Sequence, residues 1–211
     1  MGATRIGAPY GPWEPADPDE AASLLSALPA PWWIAGGYAI ELALGRAVRS
    51  HADLDVMVLR RDQRHVQEAL AGWEWWAADP PGTLRPWARG ERLPARVHDV
   101  WCRPGPAAPW RVQIMLDEAS GGTWVSRRDP RVRRPVAAIG ATTADGVPYL
   151  SPEIQLFYKA AGTRPKDETD FDAALPALTV PQRRWLDGAL ALVSRDHPWR
   201  RRLAHGQDTR G

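Results

Sequence analysis

Residues 53–59 read Asp-Leu-Asp-Val-Met-Val-Leu, an apolar and β-branched run suited to the inside of a sheet, yet it opens on two carboxylates one residue apart. Side chains alternate along a strand, so Asp53 and Asp55 share one face while Leu54, Val56 and Val58 take the other, and the two acidic Cα atoms stand about 6.5–7 Å apart. Two like charges at that spacing are unfavourable unless a cation, or Arg and His neighbours, neutralise them. The strand must therefore bury one face and keep its mouth at a polar cleft. Oxygen ligands so arranged suit magnesium, which takes a few carboxylates and completes its shell with water and phosphate. The plainer reading makes one aspartate a loop cap and the other a solvated strand end.

The residues ahead of this strand narrow the choice. "PWWIA" reads as a short strand, Gly36 and Gly37 as a tight turn, and "YAIELAL" as a helix closed by Gly45. Backbone N–H groups at the start of such a helix, with the positive end of its dipole, can hold phosphate; a Gly pair there also serves an ordinary turn. Arg46, Arg49 and His51 then lead into the aspartates, placed to pair with polyphosphate or with the carboxylates. Strand, Gly-Gly, helix, basic loop and acidic strand together are far more specific than any one of them.

Around this unit, Asp17 as N-cap, Pro18 and Glu20 mark a helix with Leu24, Leu25 and Leu28 on one face, and "RDQRHVQEAL" is helical with Asp62 near its start. "WEWWAA", "ARVHDVWC" and "WRVQIMLD" alternate with period two between Pro- and Gly-rich turns and predict antiparallel strands. "SPEIQLFYKAA", capped by Ser151, then "PKDETDFDAAL" and "PQRRWLDGALALV" return to helix. The expected fold class is α+β, with a mixed-sheet core over residues 17–148, a helical C-terminal subdomain over 149–203, and irregular termini at 1–16 and 204–211.

Composition removes several function classes. The single cysteine, Cys102, excludes an internal disulfide and a Cys-based zinc site, and is expected to fill core space. No apolar run is long enough to span a bilayer and no basic leader precedes one, so a cytoplasmic location without a membrane partner is expected. Of 27 basic residues only Lys159 and Lys166 are lysines, and the net charge is +2. Eleven Arg between residues 85 and 134 face five acids there; a solvated or phosphate-facing surface accounts for them, nucleic acid is not the expected partner, and an RNA-modifying transferase stands as the third reading. The 12 Trp are read as core and cleft fillers. Asp167, Glu168, Asp170 and Asp172 read as a solvated acidic helix face, with attraction of a polycationic acceptor as the functional alternative. His98 and Asp99 adjoin in one strand and face opposite ways, so His98 is read as structural.

"WWIAGGYAIELALGRAVRSHADLDVMVLR" resembles the core of the polymerase-β-type nucleotidyltransferase superfamily, and within it is similar to the aminoglycoside 2″-adenylyltransferases and lincosamide nucleotidyltransferases. "SPEIQLFYKAAGTRPKDETDF" resembles the helix pair that such enzymes often carry downstream. The resemblance implies a polymerase-β-like core with Gly36 and Gly37 on the triphosphate, Mg2+ on Asp53 and Asp55, and Lys159 on a nucleotide phosphate or ribose; Arg49 and His51 join as further nucleotide contacts. It implies in-line attack of a hydroxyl on the α-phosphorus of a nucleoside triphosphate. AMP from ATP is the expected group, and a small molecule such as an aminoglycoside or lincosamide antibiotic the expected acceptor, in a monomer or homodimer. A third carboxylate from a later strand would bind a second metal or take the hydroxyl proton. "WRVQIMLDE" offers Gln113 where an acid is expected and Asp117 two steps along the same face. Asp117 is the first choice for the third acid and Asp99 the second. With neither, the chain would be a non-catalytic nucleotide-binding or antitoxin-like module of the same fold.

Overall fold

The computed structural model describes residues 4–5, 11–162 and 164–205. Asp17 caps α1 (Pro18–Leu24): its carboxylate accepts the Glu20 N–H at 2.8 Å, and Glu20 accepts the Asp17 N–H at 3.0 Å. One residue after β2 (Trp32–Ile34) the chain enters α2 (Gly36–Leu44), which stops at Gly45. β1 (Thr4–Arg5), β3 (Asp55–Leu59), β4 (Glu74–Ala77), β5 (Thr83–Pro86), β6 (Asp99–Arg103), β7 (Val112–Ser120), β10 (Gly140–Thr142) and β11 (Pro148–Leu150) join β2 in the order β1-β5-β4-β6-β7-β3-β2-β11-β10. β8 (Thr123–Val125) and β9 (Arg133–Pro135) form a side ribbon on β7. The sheet is mixed, because β3 runs parallel to β7 and β2 parallel to β11 while the other pairs are antiparallel. The fold is α+β.

Alternation along the central strands makes two cores. Val56, Val58, Val100, Cys102, Ile114 and Leu116 turn to one side, where Leu25 beside α1 and Val66 of α3 (Gln63–Ala69) close over them. Met57 and Leu59 turn to the other and meet α4 (Pro152–Lys159), α5 (Pro165–Ala174), α6 (Val180–Val193) and α7 (Pro198–His205) through Phe157, Phe171, Leu186 and Trp199. Each large apolar side chain so withdrawn from water contributes about 1.5–3 kcal/mol. The boundary expected after residue 148 falls inside β11, and the helices share a core with Trp33 and Met57 of the sheet.

The expected irregular ends lie mostly outside the described residues. Within them, Trp13 bridges Trp110, and the Glu14 and Ala16 N–H groups donate to the Trp110 and Arg111 carbonyls at 3.0 and 2.9 Å, so this stretch is anchored. α7 carries helix past Ala204, where tail was expected. Cys102 is fully buried, and burial pushes its thiol up. Among the described residues no helix is long and apolar enough to cross a membrane. Arg85, Arg96, Arg103, Arg111, Arg131 and Arg134 of the Arg-rich stretch each pair with a carboxylate.

Candidate active site

β3 begins at Asp55, so Asp53 sits in the loop just ahead of it. The Ala35 N–H donates to the Asp55 carbonyl at 2.8 Å, which fixes the start of α2 over the mouth of β3. Gly36 has φ +67°, and a β-carbon there would stand 2.4 Å from Asp55 Oδ2; glycine alone lets the turn lie against that carboxylate. Its N–H donates to Gln155 Oε1 of α4 at 2.9 Å. A β-carbon on Gly37 would stand 2.3 Å from both Arg49 Nη2 and His51 Cε1.

Between the sheet and α4–α5 lies a cleft of about 270 Å³. Its acids are Asp53 and Asp55; its bases are Arg49, Arg127, Arg128, Lys159, Arg164 and Lys166, with Gly36 and Gly37 at one edge. Burial, then the charges of Asp53 and Asp99, push the Asp55 carboxyl up to about 7, against the pull of Lys159 and Lys166. Among the described residues no group donates a hydrogen bond to it. A carboxylate pair under such mutual repulsion fits a cation, and Asp53 and Asp55 are the residues that would hold it. No third His, Cys, Asp or Glu completes a metal cage among the described residues, which suits an ion that takes its remaining ligands from water and phosphate. Arg127 lies over the Tyr158 ring at 5.3 Å, and its buried Nη1 has no hydrogen-bond partner in the described residues, as fits a group awaiting an anion.

Two basic residues of the cleft are set by Asp170. Arg49 donates to it through Nε and Nη2, each at 2.9 Å, and Lys159 Nζ lies 2.7 Å from its Oδ2 and 3.5 Å from Asp167 Oδ1. Burial alone would raise the Asp170 carboxyl; hydrogen bonds from Arg49 and Lys159 hold it below the usual range. Asp167 and Asp170 are 1% and 0% exposed, so the reading of both as a solvated face is corrected. With Phe171 and Ala174 they follow the i, i+3, i+4, i+7 spacing of a buried helix stripe, a signal legible in the sequence.

Two further expectations change. His51 does not line the cleft; it stacks on Tyr38 with ring centroids 4.0 Å apart and places Nε2 2.9 Å from Glu41 Oε1, beneath Gly37 and Arg49. Asp117 pairs with Leu59, four residues along β3 from Asp55, and is 2% exposed. Its carboxylate accepts from Trp124 Nε1 at 2.7 Å and from the Tyr158 hydroxyl, so it serves packing and does not join the aspartate pair. Asp99 does approach: Gln113 is the register partner of Asp55 and donates from Nε2 to Asp99 Oδ1 at 3.2 Å. The glutamine that had suggested a lost acid thus orients one. Gln155 and Arg164 had no site role from sequence, and Arg127 and Arg128 only a place on the surface of the RNA-modifying reading, because only the sheet and helix packing brings them to Gly36 and Asp55.

The family profile described as aminoglycoside-2″-adenylyltransferase matches residues 20–174. A comparison with curated proteins gives no match. Among solved structures, the crystal structure of ANT(2″)-Ia in complex with adenylyl-2″-tobramycin is 20% identical, covering 82% of this chain and 97% of its own, with a TM-score of 0.50. The solution structure of ANT(2″)-Ia is 17% identical over 90% of this chain and 100% of its own, with a TM-score of 0.49. An antigenic nucleotidyltransferase-like protein from Paracoccidioides brasiliensis is 17% identical over 88% of this chain and 89% of its own, with a TM-score of 0.47.

Proposed function

The chain belongs to the aminoglycoside-2″-adenylyltransferase family, and from that premise we propose that it transfers AMP from ATP to a hydroxyl of an aminoglycoside, with Mg2+ held by Asp53 and Asp55. The observation that carries this reading is the lone acid pair at the mouth of β3, set against six basic side chains and a Gly-Gly helix start in one cleft. When bound, magnesium neutralises charge on the phosphoryl oxygens. The chain's own residues do the positioning. The start of α2 at Gly37, with Arg49, Arg127 and Lys159, binds the triphosphate through N–H and cationic groups. Asp99, oriented by Gln113, takes the proton of the acceptor hydroxyl as its oxygen attacks the α-phosphorus in line; the bond to the β-phosphate oxygen breaks and pyrophosphate leaves.

Incubation with labelled ATP, magnesium and a panel of aminoglycosides, with lincosamides as comparison, tests the reading. Acceptor-dependent pyrophosphate release, abolished in Asp53→Asn, is the expected result. Absence of release with every acceptor rejects it.

A further inference from the structure

Asp55, Gln113, Trp101, Trp76 and Pro86 form one row across β3, β7, β6, β4 and β5, each the register partner of the next. Register partners project to the same face of a sheet, so the acid at the cleft continues into two indoles side by side. Two strand spacings put the Trp101 Cα about 10 Å from that of Asp55, and a third puts Trp76 at about 14 Å. Both indoles are partly exposed and lie outside the two cores, although Trp75 on the same strand as Trp76 joins one and Trp101 packs edge-on against the buried Trp110 at 5.6 Å. The core shared with the C-terminal helices includes no residue of β4, β5 or β6, so the helices cover only the other half of this face.

The acids follow the indoles. Asp99 lies two residues before Trp101 and Glu74 two before Trp76, on the same face. Glu74 Oε2 accepts from Trp76 Nε1 at 3.3 Å and from Arg103 Nε at 2.7 Å; Trp13 meets Trp101 edge-on at 5.0 Å. None of the six bases around the cleft comes from β4, β5 or β6. The six bases of the cleft are thereby separated along the sheet from the two indoles.

We propose that Trp101 and Trp76 are the platform for the acceptor, an aminated sugar of several rings whose apolar ring faces stack on the indoles. Its ammonium groups meet the indole π faces and the Asp99 and Glu74 carboxylates. The platform holds the rings beyond the reacting one and leaves the reacting hydroxyl at Asp99 and Asp55. This inference rests on the proposed transfer to aminoglycosides.

Calorimetric binding of tobramycin to the full chain tests it, with binding of ATP and magnesium measured on every variant to show that the cleft is intact. Trp101→Ala and Trp76→Ala should each weaken tobramycin roughly fivefold to tenfold with nucleotide binding unchanged, and Trp101→Phe should restore most of the loss. Equal tobramycin binding by the wild type and both Ala variants, or no binding by the wild type, overturns the platform. Trp101-dependent binding without AMP transfer leaves the platform and rejects the transfer reading. AMP transfer with no dependence on Trp101 or Trp76 does the reverse.

Discussion

Asp170 accepts both prongs of the Arg49 guanidinium, Nε to Oδ1 and Nη2 to Oδ2, at 2.9 Å each, and its Oδ2 also meets Lys159. One carboxylate without exposure therefore ties the loop ahead of β3 to α4 and α5 across the cleft. Removing one partner of a buried ion pair leaves the others uncompensated, at roughly 3–5 kcal/mol. Asp170→Ala is expected to lose about that much in urea unfolding and to raise the KM for ATP, because Arg49 and Lys159 lose their orientation. Full stability in this variant would remove the link.

Acid stability follows from the same carboxylate. Its pKa is depressed in the folded chain, so its contribution is present above the ordinary carboxylate value near pH 4 and is lost as pH falls through the folded value. The wild-type Tm should drop below about pH 4, and the drop should be shallower in Asp170→Asn.

Asp55 has the opposite sign. Its folded pKa, raised to about 7 from an ordinary 3.8, makes its contribution full below about pH 4 and lost as pH rises through 7. Asp55→Asn carries no charge at any pH. In EDTA at pH 8 it should be more stable than the wild type by up to about 4 kcal/mol, and at pH 4 close to it, while transfer is abolished. Thermal melts at the two pH values check this; equal melts at pH 8 would show that the repulsion is absent.

Gly36→Ala places a β-carbon against Asp55 Oδ2 in a backbone conformation that alanine resists. Transfer should fall by at least 100-fold, since a displacement of about 1 Å at the reacting groups suffices for that. Magnesium-dependent ATP binding, read by calorimetry, should weaken with it.

Asp99 and Asp117 separate cleanly. Asp99→Asn should lower kcat by about 10²-fold or more and leave the KM for ATP within about threefold, as for loss of a general base. Asp117→Asn should destabilise the chain by about 1–3 kcal/mol through its contacts with Trp124 and Tyr158, with kcat in the folded fraction little changed. The opposite pattern would restore Asp117 to the reaction.

The sequence was most legible where chemistry is local. The Asp17 capping box, the Gly-Gly start of α2, the Gly45 stop and the alternating face of β3 all declare themselves within a few residues. Register was harder to read. Asp117 and Asp99 both suit a third acid in sequence, and only the pairing of β3 with β7 and of β7 with β6 puts one near Asp55 and the other opposite Leu59. Burial of charge misled in another way: four acids on one helix suggest water, yet Asp167 and Asp170 are held inside by cations from Lys159, Arg164 and Arg49. The short strands β8 to β11 lack the alternation that betrays longer ones, so they emerged only with the sheet.

The scarcity of lysine gives the cleft a chemical handle. Lys159 and Lys166 both line it, and the chain carries no other side-chain amine. A mild acylating reagent can therefore mark the protein only there or at its amino terminus, and Lys166, on the exposed rim, is the more open target. Shielding of that lysine from acylation would report occupancy of the cleft directly, with no turnover needed.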